Sequence, residues 1–239
     1  MTDLLYQTDS YLREFDAAIT AVVPEERAVS LDRTAFYPGG GGQPCDFGAL
    51  AVGGMTYPVE RVKRQGGEVL HFLGGVAPLP AIGSAVHGVM DWMHRYQLMR
   101  THTALHILCS VVFRDYGALV TGGDMEPGKG RMDFEFERLQ KELVQEIEAA
   151  VNREVTAGRE VRIKILPRQE AFQIPDLIRT KINLLPEGIT QVRTVEIVGL
   201  DLQADGGTHV RSTSEVGRVR VVDYKSKGAI NKRIYIEVE

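Results

Sequence analysis

Two histidines four residues apart, and a third histidine about a hundred residues later, are the side chains best suited to chemistry in this chain. His102 and His106 lie in the sequence Arg-Thr-His-Thr-Ala-Leu-His, and His209 ends the sequence Asp-Gly-Gly-Thr-His that begins at Asp205. On a helix, the i, i+4 spacing stacks both imidazoles on one face, where they can bind one Zn²⁺. Asp205 and His209 could add an oxygen and a third nitrogen. Because Zn²⁺ with an open position lowers the pKa of bound water towards neutrality, the pattern predicts a site suited to hydrolysis.

The same histidines have other interpretations. A pair at this spacing is often a half-buried polar stripe on a helix. Zinc metalloproteases place Glu directly after the first histidine, and here that position is Thr103, which argues against this class. Thr103 and Thr208 each place a hydroxyl beside a predicted ligand, so they are either contacts to a substrate or buried capping residues. The catalytic candidates are therefore His102, His106, Thr103 and Thr208.

Three motifs follow one another in an order that is typical of one family. The first is Phe-Tyr-Pro-Gly-Gly-Gly-Gly-Gln-Pro at residues 36–44, followed by Asp46 and Gly48. The second is the histidine pair, followed by Arg-Met-Asp-Phe at residues 131–134. The third is Asp-Gly-Gly-Thr-His-Val at residues 205–210. From about residue 30 to the C-terminus, this order resembles the editing domain of alanyl-tRNA synthetase and its free-standing relatives, the AlaX family.

The resemblance implies hydrolysis of the ester that joins a wrong amino acid to the 3′ end of alanine tRNA. Serine is the principal candidate amino acid and glycine the second. The resemblance also implies a Zn²⁺ site formed by His102, His106, Asp205 and His209. The family usually has Cys where this chain has Asp205, so Asp205 either binds Zn²⁺ through oxygen or orients a ligand. Cys109, three residues after His106, is a possible substitute ligand, but a small buried core residue is the more ordinary interpretation.

The glycine-rich segment also needs an interpretation. It lacks the Gly-Lys-Ser/Thr ending of a P-loop, so no nucleotide is implied. In the family this segment lies near the editing pocket. Since glycines let backbone N–H groups approach a ligand closely, we expect Gly40, Gly41, Gly42 and Gln43 to form a substrate-facing wall, with a plain turn as the alternative.

Charge bears on tRNA binding. The net charge of −4 is unusual for a nucleic-acid-binding protein, because phosphate neutralisation dominates nonspecific affinity. However, six basic residues and one acid lie between Arg218 and Arg233. We predict that Arg218, Arg220, Lys225 and Lys227 contact the phosphates of mischarged alanine tRNA. The alternatives are an exposed strand with solubilising lysines, and tRNA bound across the N-terminal domain and a predicted loop at residues 122–131.

Composition limits the remaining possibilities. A chain of 239 residues with 44% hydrophobic and 25% charged residues is ordinary for a soluble globular protein of two domains. The two cysteines give no disulfide framework, no apolar run has the length of a membrane span, and the N-terminus lacks the basic start of a signal peptide. We therefore expect a cytoplasmic protein that does not bind a membrane. Nothing in the sequence indicates an oligomeric state.

The expected fold is α+β, with a small N-terminal β-barrel at residues 1–90 and a two-layer editing domain with an antiparallel sheet at residues 91–239. Turn signals in the first part separate six short strands, which predict the barrel. In the second part, apolar residues recur with helical spacing before several alternating segments. The predicted strands are 17–23, 28–33, 48–52, 57–64, 68–73, 85–90, 161–165, 191–198, 217–224 and 233–238; the predicted helices are 94–113 and 138–157.

Two other functions compete with tRNA editing. One is a tRNA-binding module whose pocket has lost its cysteine and its activity, which would bind tRNA without hydrolysing it. The other is a zinc hydrolase of small esters or amides, which would need no basic strip.

Overall fold

The computed structural model describes residues 2–136, 140–180 and 188–239. The chain divides into two compact units, Met1–Tyr96 and Gln97–Glu239. The predicted domain division after residue 90 lies a few residues before the division between these units. In the described residues, no helix is long and apolar enough to cross a membrane.

The first unit is built around a closed antiparallel barrel with the strand order β2-β3-β7-β6-β5-β8. Its interior is filled by side chains that alternate with exposed ones, as in β6, where Tyr57, Val59 and Val62 point inwards. The predicted barrel is therefore confirmed. The strands of this unit are β1 (Asp3–Leu4), β2 (Glu14–Val23), β3 (Ala28–Leu31), β4 (Arg33–Thr34), β5 (Gly48–Val52), β6 (Met55–Gln65), β7 (Glu68–Leu73) and β8 (Ala85–Met90).

The second unit combines helices with antiparallel β-sheets, which confirms the α+β class. Its strands form two sheets rather than one, with the orders β14-β15-β10-β9 and β11-β12-β13. The strands are β9 (Val120–Glu126), β10 (Lys129–Glu135), β11 (Val161–Pro167), β12 (Gln191–Ile197), β13 (Asp201–Ala204), β14 (Val219–Ser226) and β15 (Asn231–Val238). In the part of the chain that the structure describes, the α-helices are α1 (Trp92–Tyr116), α2 (Lys141–Thr156) and the short α3 (Arg168–Ala171).

Helix α1 is more deeply buried than its sequence pattern predicts. The predicted core stripe of Leu98, Leu105, Leu108 and Val112 is buried, but so is every other residue from 101 to 112. A helix enclosed on all sides needs partners for its polar side chains, because an unpaired buried polar group is costly. The polar residues of this central segment therefore make specific contacts, described below.

Residues 122–131, predicted as a loop, are part of the β9–β10 hairpin. The prediction was wrong because Gly122, Gly123 and Asp124 have low strand propensity, while pairing with β10 overrides it. Packing favours glycine at position 130, because a Cβ there would lie 3.0 Å from Leu105 Cδ2. Strand β10 therefore passes close to α1.

Helix α2 begins later than predicted. Arg138 and Leu139, which the prediction included, lie outside the described residues. Within α2, Val144, Ile147, Ala150 and Val151 are buried on one face, as the amphipathic pattern requires.

Candidate metal centre

Four side chains converge in the second unit: His102 and His106 from α1, and Asp205 and His209 from the loop after β13. Each offers one ligand atom, and these atoms all lie within 4.8 Å of one another. The His209 ring centroid lies 4.2 Å from that of His102 and 4.7 Å from that of His106. The three histidines are buried and Asp205 is half-buried. Helical spacing and a distant loop thus bring together the four residues that the sequence analysis selected.

The loop carrying Asp205 is held in place by local hydrogen bonds. The Asp205 backbone N–H donates to Arg193 O at 3.1 Å, and Arg193 Nη1 donates to Asp205 O at 2.9 Å. The Gly207 N–H donates to Asp205 Oδ2 at 2.7 Å, which is an Asx-turn. Arg193, buried on β12, was not selected from the sequence. The available signal was a charged residue beside the β-branched residues of the segment Val-Arg-Thr-Val.

The two oxygens of the Asp205 carboxylate have different surroundings. Oδ2 lies 2.7 Å from the Gly207 nitrogen, 3.0 Å from His209 Nε2 and 3.5 Å from Arg193 Nη1. Oδ1 lies 3.5 Å from His102 Nε2 and 3.9 Å from His106 Nε2. The protein therefore holds Oδ2 and directs Oδ1 towards the imidazoles of α1.

Thr103 and Thr208 are both fully buried. Thr103 Oγ1 lies 3.1 Å from His209 Nδ1 and accepts a hydrogen bond from the Val210 N–H at 3.3 Å. This contact fixes the His209 ring and leaves its Nε2 for the centre of the group, an arrangement that metal-binding histidines usually show. The geometry thus places Thr103 against the His209 ring, and a contact of Thr103 or Thr208 with substrate stays a prediction.

Burial dominates the electrostatics of the cluster. Burial lowers the pKa of His209 to about 4 and that of His102 well below its usual value. For Asp205, burial opposes ionisation, but His102 and the hydrogen bond from His209 outweigh it and hold the pKa of this carboxyl well below its usual range. Neutral imidazoles and an ionised carboxylate are the protonation states that a metal ion requires.

The chemistry of the donor set supports a metal at this site. His106 Nε2 lies 3.9 Å from Asp205 Oδ1, so this nitrogen is the one that faces the other candidate ligands. Three nitrogen ligands and one oxygen ligand fit a divalent ion with imidazole preference. The group could therefore hold a metal ion.

Cys109 is a buried residue outside this group. Burial raises the pKa of its thiol to about 12, and its Sγ accepts a hydrogen bond from Gln203 Nε2 at 3.5 Å. The structure therefore gives Cys109 the surroundings of a core residue.

The glycine-rich segment, in the first unit, is a tight turn. Gly40 and Gln43 exchange two backbone hydrogen bonds of 3.0 and 2.9 Å, and Gly41 and Gly42 between them have φ of 59° and 88°. Two successive positive φ values define a type I′ turn, which favours glycine at both central positions. The tip at Gly40 and Gly41 is exposed, while the Gln43 side chain is buried.

A buried ion pair anchors the base of this turn. Asp46 Oδ2 accepts from the Tyr37 N–H at 2.5 Å, and the Arg95 guanidinium forms a two-pronged contact with the same carboxylate. The segment is therefore a firmly held turn, and a substrate-binding role for it stays a prediction.

The C-terminal basic residues are mostly paired with other groups. Arg220 lies 3.0 Å from Glu239 Oε1, and Lys225 lies 2.9 Å from Asp223 Oδ2. Arg233 pairs with Asp133, and Lys232 is buried and donates to two backbone carbonyls. Arg218 and Lys227 are exposed and form no salt bridge with any described residue. The strip is thus much less positive than its sequence implies.

Parts of both units are similar to domains of tRNA synthetases. A family model described as the threonyl and alanyl tRNA synthetase second additional domain matches residues 192–235, and one described as class II (A) tRNA synthetases matches residues 10–94. The alanyl-tRNA editing protein AlaX-M of Saccharolobus solfataricus is 39% identical over 100% of both chains. AlaX-M of Methanosarcina acetivorans is 36% identical over 98% of both. The alanine–tRNA ligase of Pyrococcus furiosus is 37% identical over 92% of this chain and 24% of its own.

These full-length similarities identify an editing protein related to the tRNA synthetases. The chain belongs to the AlaX-M family of alanyl-tRNA editing proteins. The family assignment made from the three motifs is therefore confirmed, and with it the class of enzyme, a hydrolase that deacylates aminoacyl-tRNA.

Proposed function

We propose that this protein hydrolyses the ester of alanine tRNA mischarged with serine, at a Zn²⁺ site formed by His102, His106, Asp205 and His209. The observation that carries this proposal is the buried convergence of three imidazoles and one carboxylate, with ligand atoms within 4.8 Å of one another. Zinc suits this donor set because imidazole nitrogen and carboxylate oxygen are ligands that it commonly takes in proteins.

The residues at this site have two different roles, metal binding and positioning of the ligands. The three imidazoles and Asp205 Oδ1 would hold the ion, and Thr103 and Arg193 orient His209 and Asp205. When bound, zinc would supply a Lewis acid that polarises the ester and acidifies water. An aminoacyl ester is already an activated acyl group, so the reaction needs no protein nucleophile, and no Gly-x-Ser-x-Gly elbow occurs in the sequence.

The expected amino acid specificity rests on the chemical difference between serine and alanine. Serine exceeds alanine by one hydroxyl, and a site that hydrogen-bonds this hydroxyl can reject the substrate that lacks it. The names of the relatives, alanyl-tRNA editing proteins, point to alanine tRNA as the nucleic acid. We therefore expect serine-charged alanine tRNA to be deacylated, and correctly charged alanine tRNA to be largely spared.

The direct test is a deacylation panel with alanine tRNA charged with serine, glycine or alanine. The expected result is fast release of serine, little release of alanine, and loss of activity in His106→Ala. Equal rates on serine and alanine would contradict editing. A gel shift without hydrolysis would favour the binding module, and hydrolysis of small esters but not of charged tRNA would favour the alternative hydrolase.

For tRNA binding, we propose that Arg218 and Lys227 contribute more than Arg220 and Lys225. Each cation already paired with a carboxylate must give up that partner before it can neutralise a phosphate. The double variant Arg218→Ala/Lys227→Ala should therefore raise the KM for charged tRNA and flatten its salt dependence. The matched variant Arg220→Ala/Lys225→Ala removes the same charge and should have the smaller effect. An unchanged KM in both variants at every salt concentration would exclude this surface as the binding site for tRNA.

A further inference from the structure

A second polar cluster, with two buried and two half-buried members, lies beside the candidate metal centre, and the proposed chemistry leaves it without a role. It consists of Cys109, Arg179, Asp201 and Gln203, and is called the Gln203 cluster below. Gln203 Nε2 donates to the Asp201 carboxylate and to Cys109 Sγ, the latter at 3.5 Å. Asp201 Oδ1 in turn accepts from Arg179 Nη2 at 3.0 Å. The cluster is thus a connected network centred on one amide.

The position of Gln203 follows from the two elements that form the metal centre. Gln203 lies on β13, and the Asp205 N–H continues the pairing of this strand by donating to Arg193 O on β12. Two residues apart along this pairing, the Gln203 and Asp205 side chains point to the same side, about 7 Å apart along the chain. Cys109, which Gln203 contacts, lies three residues beyond His106 on α1, about 4.5 Å further along the helix axis. Gln203 therefore lies close to the candidate ligands, two residues before Asp205 and in contact with Cys109 on α1.

The network fixes the orientation of the Gln203 amide. An ionised carboxylate only accepts hydrogen bonds, so the NH₂ group must face Asp201. The amide oxygen then lies on the opposite side, where it accepts no hydrogen bond from any described residue. Gln203 is half-buried rather than enclosed, so a ligand can reach its side chain. The amide is a pre-oriented hydrogen-bond acceptor.

From this geometry we infer that Gln203 is a specificity-determining residue whose amide oxygen accepts the hydrogen bond of the substrate's serine hydroxyl. The inference rests on the proposed editing function. Serine would satisfy the acceptor, while alanine would place a methyl group against it and leave it unpaired. Such an unpaired acceptor disfavours the wrong substrate strongly, because the lost hydrogen bond with water is not replaced. Asp201 and Arg179 act through Gln203 as positioning residues.

The test compares Gln203→Met with wild type on alanine tRNA charged with serine, glycine or alanine. Methionine has a similar length but neither an amide oxygen nor an NH₂ group. We expect deacylation of the serine ester to fall about tenfold to a hundredfold, while the alanine and glycine esters change little. The ratio of serine to alanine rates should therefore collapse, at unchanged metal content and a similar melting temperature.

Cys109→Ala is the matched control, since it removes the other neighbour of the amide but leaves the contact with Asp201. This variant should keep the wild-type ratio of serine to alanine rates. Asp201→Asn, which can pair with either orientation of the amide, should lower that ratio only in part.

The outcomes separate this inference from the proposed function. Gln203→Met with an unchanged ratio, or with equal loss on all three esters, would overturn the specificity role while editing stands. Loss of metal in Gln203→Met would show a structural role and would also overturn it. A wild-type protein that releases none of the three amino acids would overturn the proposed function itself.

Discussion

His71 in the barrel and His209 in the second unit have similar surroundings on one side of the ring and very different ones on the other. Each is buried and lies against a threonine hydroxyl: Thr34 Oγ1 is 2.8 Å from His71 Nε2, and Thr103 Oγ1 is 3.1 Å from His209 Nδ1. Each hydroxyl also accepts a backbone N–H, from Phe36 and Val210 respectively. Burial lowers the pKa of both imidazoles to about 4.

The second ring nitrogen distinguishes the two histidines. His71 Nδ1 lies 3.2 Å from Val29 O, so both nitrogens of this ring have partners within the barrel. His209 Nε2 instead faces Asp205 and two further imidazoles. A depressed pKa is therefore no indication of function by itself. What distinguishes the candidate site is the convergence of ligand atoms from three imidazoles and one carboxylate.

The largest difference is expected when one histidine is removed from each region. His106→Ala deletes a proposed ligand and should reduce both zinc affinity and serine release, the latter at least about a thousandfold, because a bound metal contributes several kcal/mol to the reaction. His71→Gln should lower the melting temperature by several degrees but keep the zinc content. Inductively coupled plasma mass spectrometry measures the zinc content of each variant, and the deacylation assay measures the release of serine. Equal loss of zinc in the two variants would remove the distinction.

The pH dependence of stability should be shared by both regions in metal-free protein. Because the folded pKa of about 4 lies below the ordinary value of 6.5, the unfolded state takes up protons first as the pH falls. The stability from each neutral imidazole is complete above pH ~6.5 and is lost towards pH ~4, up to about 3 kcal/mol per histidine.

Denaturant titrations of the metal-free protein at several pH values measure this loss. His71→Gln should lose less stability than wild type over the same interval. A variant that parallels wild type throughout would show that His71 does not titrate in this range.

A smaller effect is expected from the two threonines. Thr103→Val removes the hydroxyl that orients His209, and loss of such a partner typically weakens metal affinity about tenfold to a hundredfold. Thr34→Val makes the same change beside His71 and should alter only thermal stability. Chelator competition gives the affinity of each variant. An unchanged affinity in Thr103→Val would show that packing alone orients the His209 ring.

The smallest effect is expected from Asp205→Cys. A thiolate is a common zinc ligand and can replace Oδ1, although it loses the Asx-turn to Gly207. Zinc should remain bound and serine release should stay within about tenfold of wild type. Asp205→Ala, which supplies no ligand, should bind zinc more weakly than both wild type and Asp205→Cys. If Asp205→Ala retained full affinity, Asp205 would not be a ligand.

Sequence reasoning found the parts of the molecule that local spacing controls. The i, i+4 pair and the Gly-Gly-Thr-His loop indicated the candidate ligands, and β5, β7 and β8 have the predicted bounds. It missed what depends on contacts distant in sequence: the β9–β10 hairpin, the contact of Arg193 with Asp205, and the Gln203 cluster. It also overestimated the basic strip, because a charge count does not show that Arg220, Lys225 and Arg233 already have carboxylate partners.

The most direct test of the central claim is the zinc stoichiometry of the purified protein after reloading with zinc and removal of the excess. The account predicts about one zinc ion per chain in wild type and His71→Gln, and essentially none in His106→Ala. A wild-type protein without zinc, or a His106→Ala protein with as much zinc as wild type, would contradict it.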